Sequence, residues 1–127
     1  MYVYLEADWK VSDWWEGLRQ GQCFVSNGPL LRCWVEKKPG SRETGEPTHP
    51  FWPGSRLPLK YRQEMIVKAR LTSQDRVEAF ELIHNGEVVR KVAVDPQLDE
   101  QDLGPAPMDQ PGWFVVRAVA ELSLIHI

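Results

Sequence analysis

The spacing of apolar and polar positions changes period along this chain. Residues 1–5 ("MYVYL") form a short apolar, β-like run. Residues 13–20 place Trp14 and Leu18 four apart with Trp15 beside them, the spacing of one helical face. Ser12 or Asp13 stands where an N-cap belongs, and Glu16, three residues after Asp13, approximates a capping box. Gly21 follows at the position where a left-handed C′ residue ends a helix. The period then shortens: "CFVSN" (23–27) and "LLRCWVE" (30–36) are rich in branched and aromatic residues. Strand, helix and strand in this order read as a βαβ unit.

Residues 37–59 break the pattern with five prolines and several glycines, and predict a loop or linker. Beyond it the period is two. Residues 64–71 alternate Met65, Val67, Ala69 and Leu71 against polar positions, as a half-buried strand does. In residues 77–94 two β-like runs flank Asn85-Gly86, the pair favoured in type I′ hairpin turns. Residues 95–111, heavy in Asp, Gln and Pro, read as a second loop. Residues 112–122 read as a last strand, apolar on both faces except at Arg117. The expected fold is α+β and mostly β: a short N-terminal strand-helix-strand (1–36), a Pro/Gly-rich linker (37–59), and an antiparallel β-sandwich-like module (60–122).

A length of 127 residues suits a single domain. A net charge of −3, with Lys and Arg scattered, gives no basic footprint for nucleic acid. No apolar run approaches the about 18 residues of a membrane-spanning helix. The first ten residues are too polar for a signal peptide. The six tryptophans read mostly as packing residues. Cys23 and Cys33 are too few for a disulfide framework or a zinc site. A hairpin centred on Gly28 would set them opposite one another; otherwise they are buried free thiols.

Catalytic constellations are sparse. His49, His84 and His126 form no metal-binding pair, and His84, just before the Asn-Gly turn, reads as a surface residue at a strand end. Asp95, Asp99, Glu100, Asp102 and Asp109 read as a solvated loop rather than a general acid–base pair. Ser26 and Cys23 are nucleophiles by type only, with no nucleophile-elbow motif, and no phosphate-binding glycine loop is present. Asn27-Gly28-Pro29 has two readings. Asn27 either closes a turn by bonding backbone, or aims its amide at a substrate from the edge of a site, with Ser26 and Gly28 beside it.

The run Trp14/Trp15, Gly17, Leu18, Arg19, Gly21, Phe24, Val25, Ser26, Asn27, Gly28, Pro29, Leu30, Leu31 resembles a signature of PHP-domain (polymerase and histidinol phosphatase) metallohydrolases of the CehA/McbA-like branch. Pro53-Gly54, "ELIHNGEVVR" and "GWFVVRAV" resemble later pieces of the same family, so the likeness spans about residues 1–121. Ser26 stands where the family has Thr, and Gln22 where it often has Arg or Lys. The resemblance implies the C-terminal fragment of a metal-dependent hydrolase of phosphoesters or other ester- or amide-like bonds. It implies divalent metal (Zn, Mn or Fe) held upstream and no cofactor in this segment. The partner is then the missing N-terminal barrel of the same protein, and the parent takes a small-molecule substrate. Localisation then depends on the missing N-terminus. Residues 123–127 resemble a translated sequencing adapter and are expected to be non-native. Two alternatives stand beside this: a non-catalytic β-sandwich binding module for carbohydrate or protein, with Trp52 or Trp113 as a stacking platform, and a purely structural domain, which predicts no cleft near Asn27.

Overall fold

A computed structural model describes residues 1–5, 8–38, 50–57 and 65–120. Among these described residues, eight strands and one helix follow in the order β1 (Tyr2–Val3), α1 (Val11–Arg19), β2 (Cys23–Phe24), β3 (Leu30–Lys37), β4 (Met65–Thr72), β5 (Val77–His84), β6 (Glu87–Ala93), β7 (Gln101–Pro105) and β8 (Phe114–Ala120). The fold is α+β and mostly β, as the periodicity implies. Two three-stranded antiparallel sheets, β3-β4-β7 and β6-β5-β8, make a sandwich-like arrangement, and β1-β2 forms a small ribbon of its own.

The alternation in β4 determines the inner face of the first sheet. Met65, Val67 and Ala69 are buried, and β3 pairs with β4 so that Val35 lies opposite Val67 and Cys33 opposite Ala69. The second sheet contributes Phe80 and Leu82 from β5, backed by Val92, Val116 and Ala118. Leu103, Ala106 and Met108 complete the core. On the outer face of β5 and β8, Arg117 donates to Glu81, its register partner, through Nε at 2.8 Å and through Nη2. That pairing explains the one charge in an otherwise apolar strand.

The Asn85-Gly86 hairpin forms as predicted. His84 pairs with Glu87, and Asn85 (φ 49°) and Gly86 (φ 89°) both occupy the left-handed region that a type I′ turn demands. His84, read from sequence as a surface residue, is instead buried. Phe114 on β8 is its register partner, Asn85 N–H next to it donates to Trp113 O, and its Nδ1 lies 4.0 Å from Asp109 Oδ1, too far for a hydrogen bond.

The N-terminal unit departs from the βαβ reading. β1 and β2 pair antiparallel, Tyr2 with Phe24 and Val3 with Cys23, so α1 links two arms of a ribbon rather than crossing between parallel strands. The helix begins at Val11, with Lys10 as an N-cap that supplies no side-chain bond, and Glu16 takes Arg19 and Gln20 instead of closing a capping box. Its end follows prediction. Gly21 (φ 76°) sits at C′, with Gly21 N–H donating to Leu18 O at 3.1 Å and Gln22 N–H to Gly17 O at 2.9 Å. These are the two bonds of a Schellman motif.

β7 is an unpredicted strand inside the acidic loop. It has one inward apolar residue, Leu103, and side chains secure it instead. Gln101 donates to Ala93 O at 2.6 Å, and Arg90 donates to Leu103 O and Pro105 O, each at 2.8 Å. The Pro/Gly-rich segment, where described, is irregular but anchored: Phe51 exchanges both backbone hydrogen bonds with Val35, at 2.9 and 2.8 Å. His49, His126 and the 123–127 tail lie outside the described residues.

Candidate functional site

The Ser26–Pro29 corner joins the ribbon to the sandwich. Ser26 Oγ accepts from Gly28 N–H at 3.0 Å and donates to Pro29 O, so the serine locks the turn that the sequence assigns to Asn27. Asn27 is exposed, and Ser26 half-buried. Across from the corner, Ser73 repeats the device: its Oγ accepts from Asp75 N–H at 3.1 Å and donates to Asp75 O at 2.8 Å. A Cβ on Gly28 would lie 3.8 Å from Asp75 Oδ2, so the two turns stand side by side.

Asp75 lines a cleft of about 610 Å³ at the end of the sandwich. Asp75, Glu78, Asp95 and Asp99 line it with Arg76, over an apolar floor that includes Leu71 and Phe80. The purely structural reading predicted no cleft near Asn27; this one adjoins the corner. Two of its carboxylates, and their neighbours along the acidic loop, have structural work. Asp95 accepts from Gln97 N–H at 3.0 Å, and Asp99 pairs with Arg70 at 3.5 Å. Glu100 pairs with Arg70 at 2.7 Å, Asp102 accepts from Gly104 N–H at 2.6 Å, and Asp109 lies on another face beside His84. The acidic loop is therefore a set of local turns and ion pairs, not an acid–base pair. Among the described residues no three His, Cys, Asp or Glu side chains gather as a metal site.

The cysteines are free and lie in separate sheets, Cys23 opposite Val3 and Cys33 opposite Ala69, because no hairpin forms around Gly28. Burial pushes the Cys33 thiol up to about 11. Tyr4 is raised as well, by burial first and then by the neighbouring Cys33. Neither group is activated for nucleophilic attack.

Few of the tryptophans are packed within this chain. Only Trp34 is buried; Trp9 (68%), Trp15 (51%), Trp52 (48%) and Trp113 (55%) are exposed. Trp34 is not in the sandwich core. It stands on the outer face of β3, where Trp52 leans on it with ring centroids 5.5 Å apart. Its Nε1 donates to Glu36 Oε1 at 2.6 Å. A groove of about 210 Å³ runs beside the pair, between Arg32, Glu36, Arg70, Glu100 and Pro50. The alternation Arg32-Trp34-Glu36 was the signal for this face, masked by the apolar content of its neighbours. No family model, curated protein or solved structure matches this chain.

Proposed function

We propose that this chain is the C-terminal portion of a PHP-type metal-dependent hydrolase acting on a small-molecule phosphoester or other ester- or amide-like substrate. In that role it frames the site and supplies its edge. The observation that carries the reading is the uncovered apolar surface of the N-terminal unit. Tyr2, Trp9, Val11, Trp15 and Val25 are all exposed, and Gly17 is the only buried residue of α1. A helix with that much exposed apolar surface lacks a partner. The PHP-like signature includes two of these residues, Trp15 and Val25, and begins on the same helix, which makes the barrel of the parent protein the natural cover.

The described residues offer no fit for a divalent metal, so no step of the reaction is assigned to one here. What this chain can contribute is the Asn27 amide, held outward by the Ser26 lock and free to bond a substrate oxygen. The test is the full reading frame recovered from the source DNA and expressed. Bound divalent metal with chelator-sensitive hydrolysis of a phosphodiester and ester panel supports the proposal. Asn27→Ala should then lower kcat/KM by about tenfold, the worth of one hydrogen bond, without lowering Tm. A folded protein that binds no metal and hydrolyses nothing overturns it. The second reading, a non-catalytic binding module, is favoured by the exposure of Trp52 beside a groove.

A further inference from the structure

We infer that the groove beside Trp34 and Trp52 is a binding site for a neutral sugar ring. Three features of the outer β3-β4 face point to this ligand class. The first is the indole of Trp52, half-exposed and propped at 42° against the buried Trp34, whose own ring is fixed by the bond from Nε1 to Glu36. A propped aromatic face offers a stacking surface at reduced entropic cost. The apolar C–H face of a pyranose fits such a surface.

The second is the polar rim. Arg32, Arg70, Glu36 and Glu100 line the groove with two positive and two negative charges. Their sum is zero, so the groove does not select a phosphate, a uronic acid or a cationic peptide. It does place N–H donors next to carboxylate acceptors, with Arg70 Nη2 bonded to Glu100 Oε1 at 2.7 Å. Such donor–acceptor couples suit vicinal hydroxyls, each of which donates one bond and accepts others. The third is Arg70 Nε, which is buried and has no hydrogen-bond partner among the described residues. A buried donor of this kind calls for an acceptor, and a hydroxyl oxygen in the groove would provide one.

Size narrows the ligand further. At about 210 Å³ the groove is smaller than a typical pocket for a drug-sized molecule, and it suits one ring of a glycan, not a folded partner or a long peptide. The inference does not depend on the hydrolase proposal. The groove is on the outer face of the sheet, and Asn27 adjoins the other cleft.

The experiment is a titration of the isotopically labelled full chain with neutral oligosaccharides at millimolar concentration: gluco-, manno-, xylo- and N-acetylglucosamine oligomers. Indole and guanidinium N–H resonances are followed by NMR. Saturable shifts of the Trp34 indole and Arg70 Nε–H resonances with at least one neutral series are expected. Trp52→Ala should weaken that binding by about tenfold or more. Trp113→Ala, at an exposed tryptophan away from the groove, should leave it unchanged. Arg70→Lys keeps the charge but removes Nε–H and should also weaken binding. The inference is overturned if no neutral series shifts these resonances, if Trp52→Ala binds as the parent does, or if acidic sugars or proline-rich peptides bind there in preference.

Discussion

Asn85 carries more than its place in a turn, and its replacement separates two physical effects. The residue holds φ at 49°, where only glycine is free of strain and asparagine is tolerated. Its side chain also latches the approach to β8. Oδ1 accepts from Trp113 N–H at 3.1 Å, and Nδ2 donates to Pro111 O at 3.2 Å. The fit is close enough that a Cβ on Gly112 would come within 1.8 Å of Asn85 Oδ1. Asn85→Gly keeps the backbone conformation and removes both side-chain bonds. Both are exposed, so the loss should be about 1–2 kcal/mol. Asn85→Ala removes the same bonds and adds the cost of a left-handed alanine, about 1–2 kcal/mol more. At roughly 3–5 °C per kcal/mol for a chain of this size, the expected falls in Tm are about 3–10 °C for glycine and about 6–20 °C for alanine. Circular dichroism melts give these values, and hydrogen exchange at Trp113 N–H reads the latch directly. In both variants that amide should lose protection. An Asn85→Gly protein with parental Tm and parental Trp113 protection would refute the latch. Equal melts for glycine and alanine would refute the strain argument.

Other substitutions test how the parts are joined. A Cβ on Gly54 (φ 93°) would lie 2.2 Å from Gln20 O, a backbone clash that no rotamer relieves. Gly54→Ala should therefore cost more than about 3 kcal/mol or release the ribbon and helix; limited proteolysis should cut within residues 1–29 first while the sandwich resists. Arg90 bonds two carbonyls of β7 from the opposite sheet, so Arg90→Met should lower stability by about 2–3 kcal/mol in urea unfolding, and an unchanged midpoint would deny the staple. With its thiol near 11, Cys33 should alkylate at pH 8 about a hundredfold more slowly than a thiol at the ordinary value of 9.0. The raised value means that the fold disfavours the thiolate. Its contribution to stability is full below about pH 9 and is lost as pH rises toward 11. Cys33→Ala should make the alkaline fall in stability shallower, which pH-resolved melts of the two proteins would show.

The parts of the fold that could be read in advance are those in which one local rule acts alone. Alternation in β4 needs only one wet and one dry face, and Asn85-Gly86 needs only two left-handed residues; both are found as the sequence predicts. β7 was illegible because a single inward Leu103 leaves no period, and the strand is secured by Arg90 on β6 and by its own Gln101 reaching to Ala93 O. The direction of β1 against β2 was illegible for a different reason. Strand-helix-strand order is shared by parallel crossovers and antiparallel ribbons, and only the Schellman end of α1, which turns the chain straight back at Gly21, decides between them here. Burial of His84 depends on the chain from Asp109 to Phe114 returning over the hairpin, a contact between residues about 25 apart that no local pattern encodes. Composition says that indoles are mostly covered, but cover has to come from a partner, and Trp9, just before α1, and Trp15, whose ring meets Trp14 edge-on, both stay more than half exposed. The departure from expectation is therefore concentrated where packing within the chain is incomplete. Surfaces of that kind are made for something outside them, which is why the helix face and the Trp52 shelf, rather than the well-predicted core, carry both functional proposals.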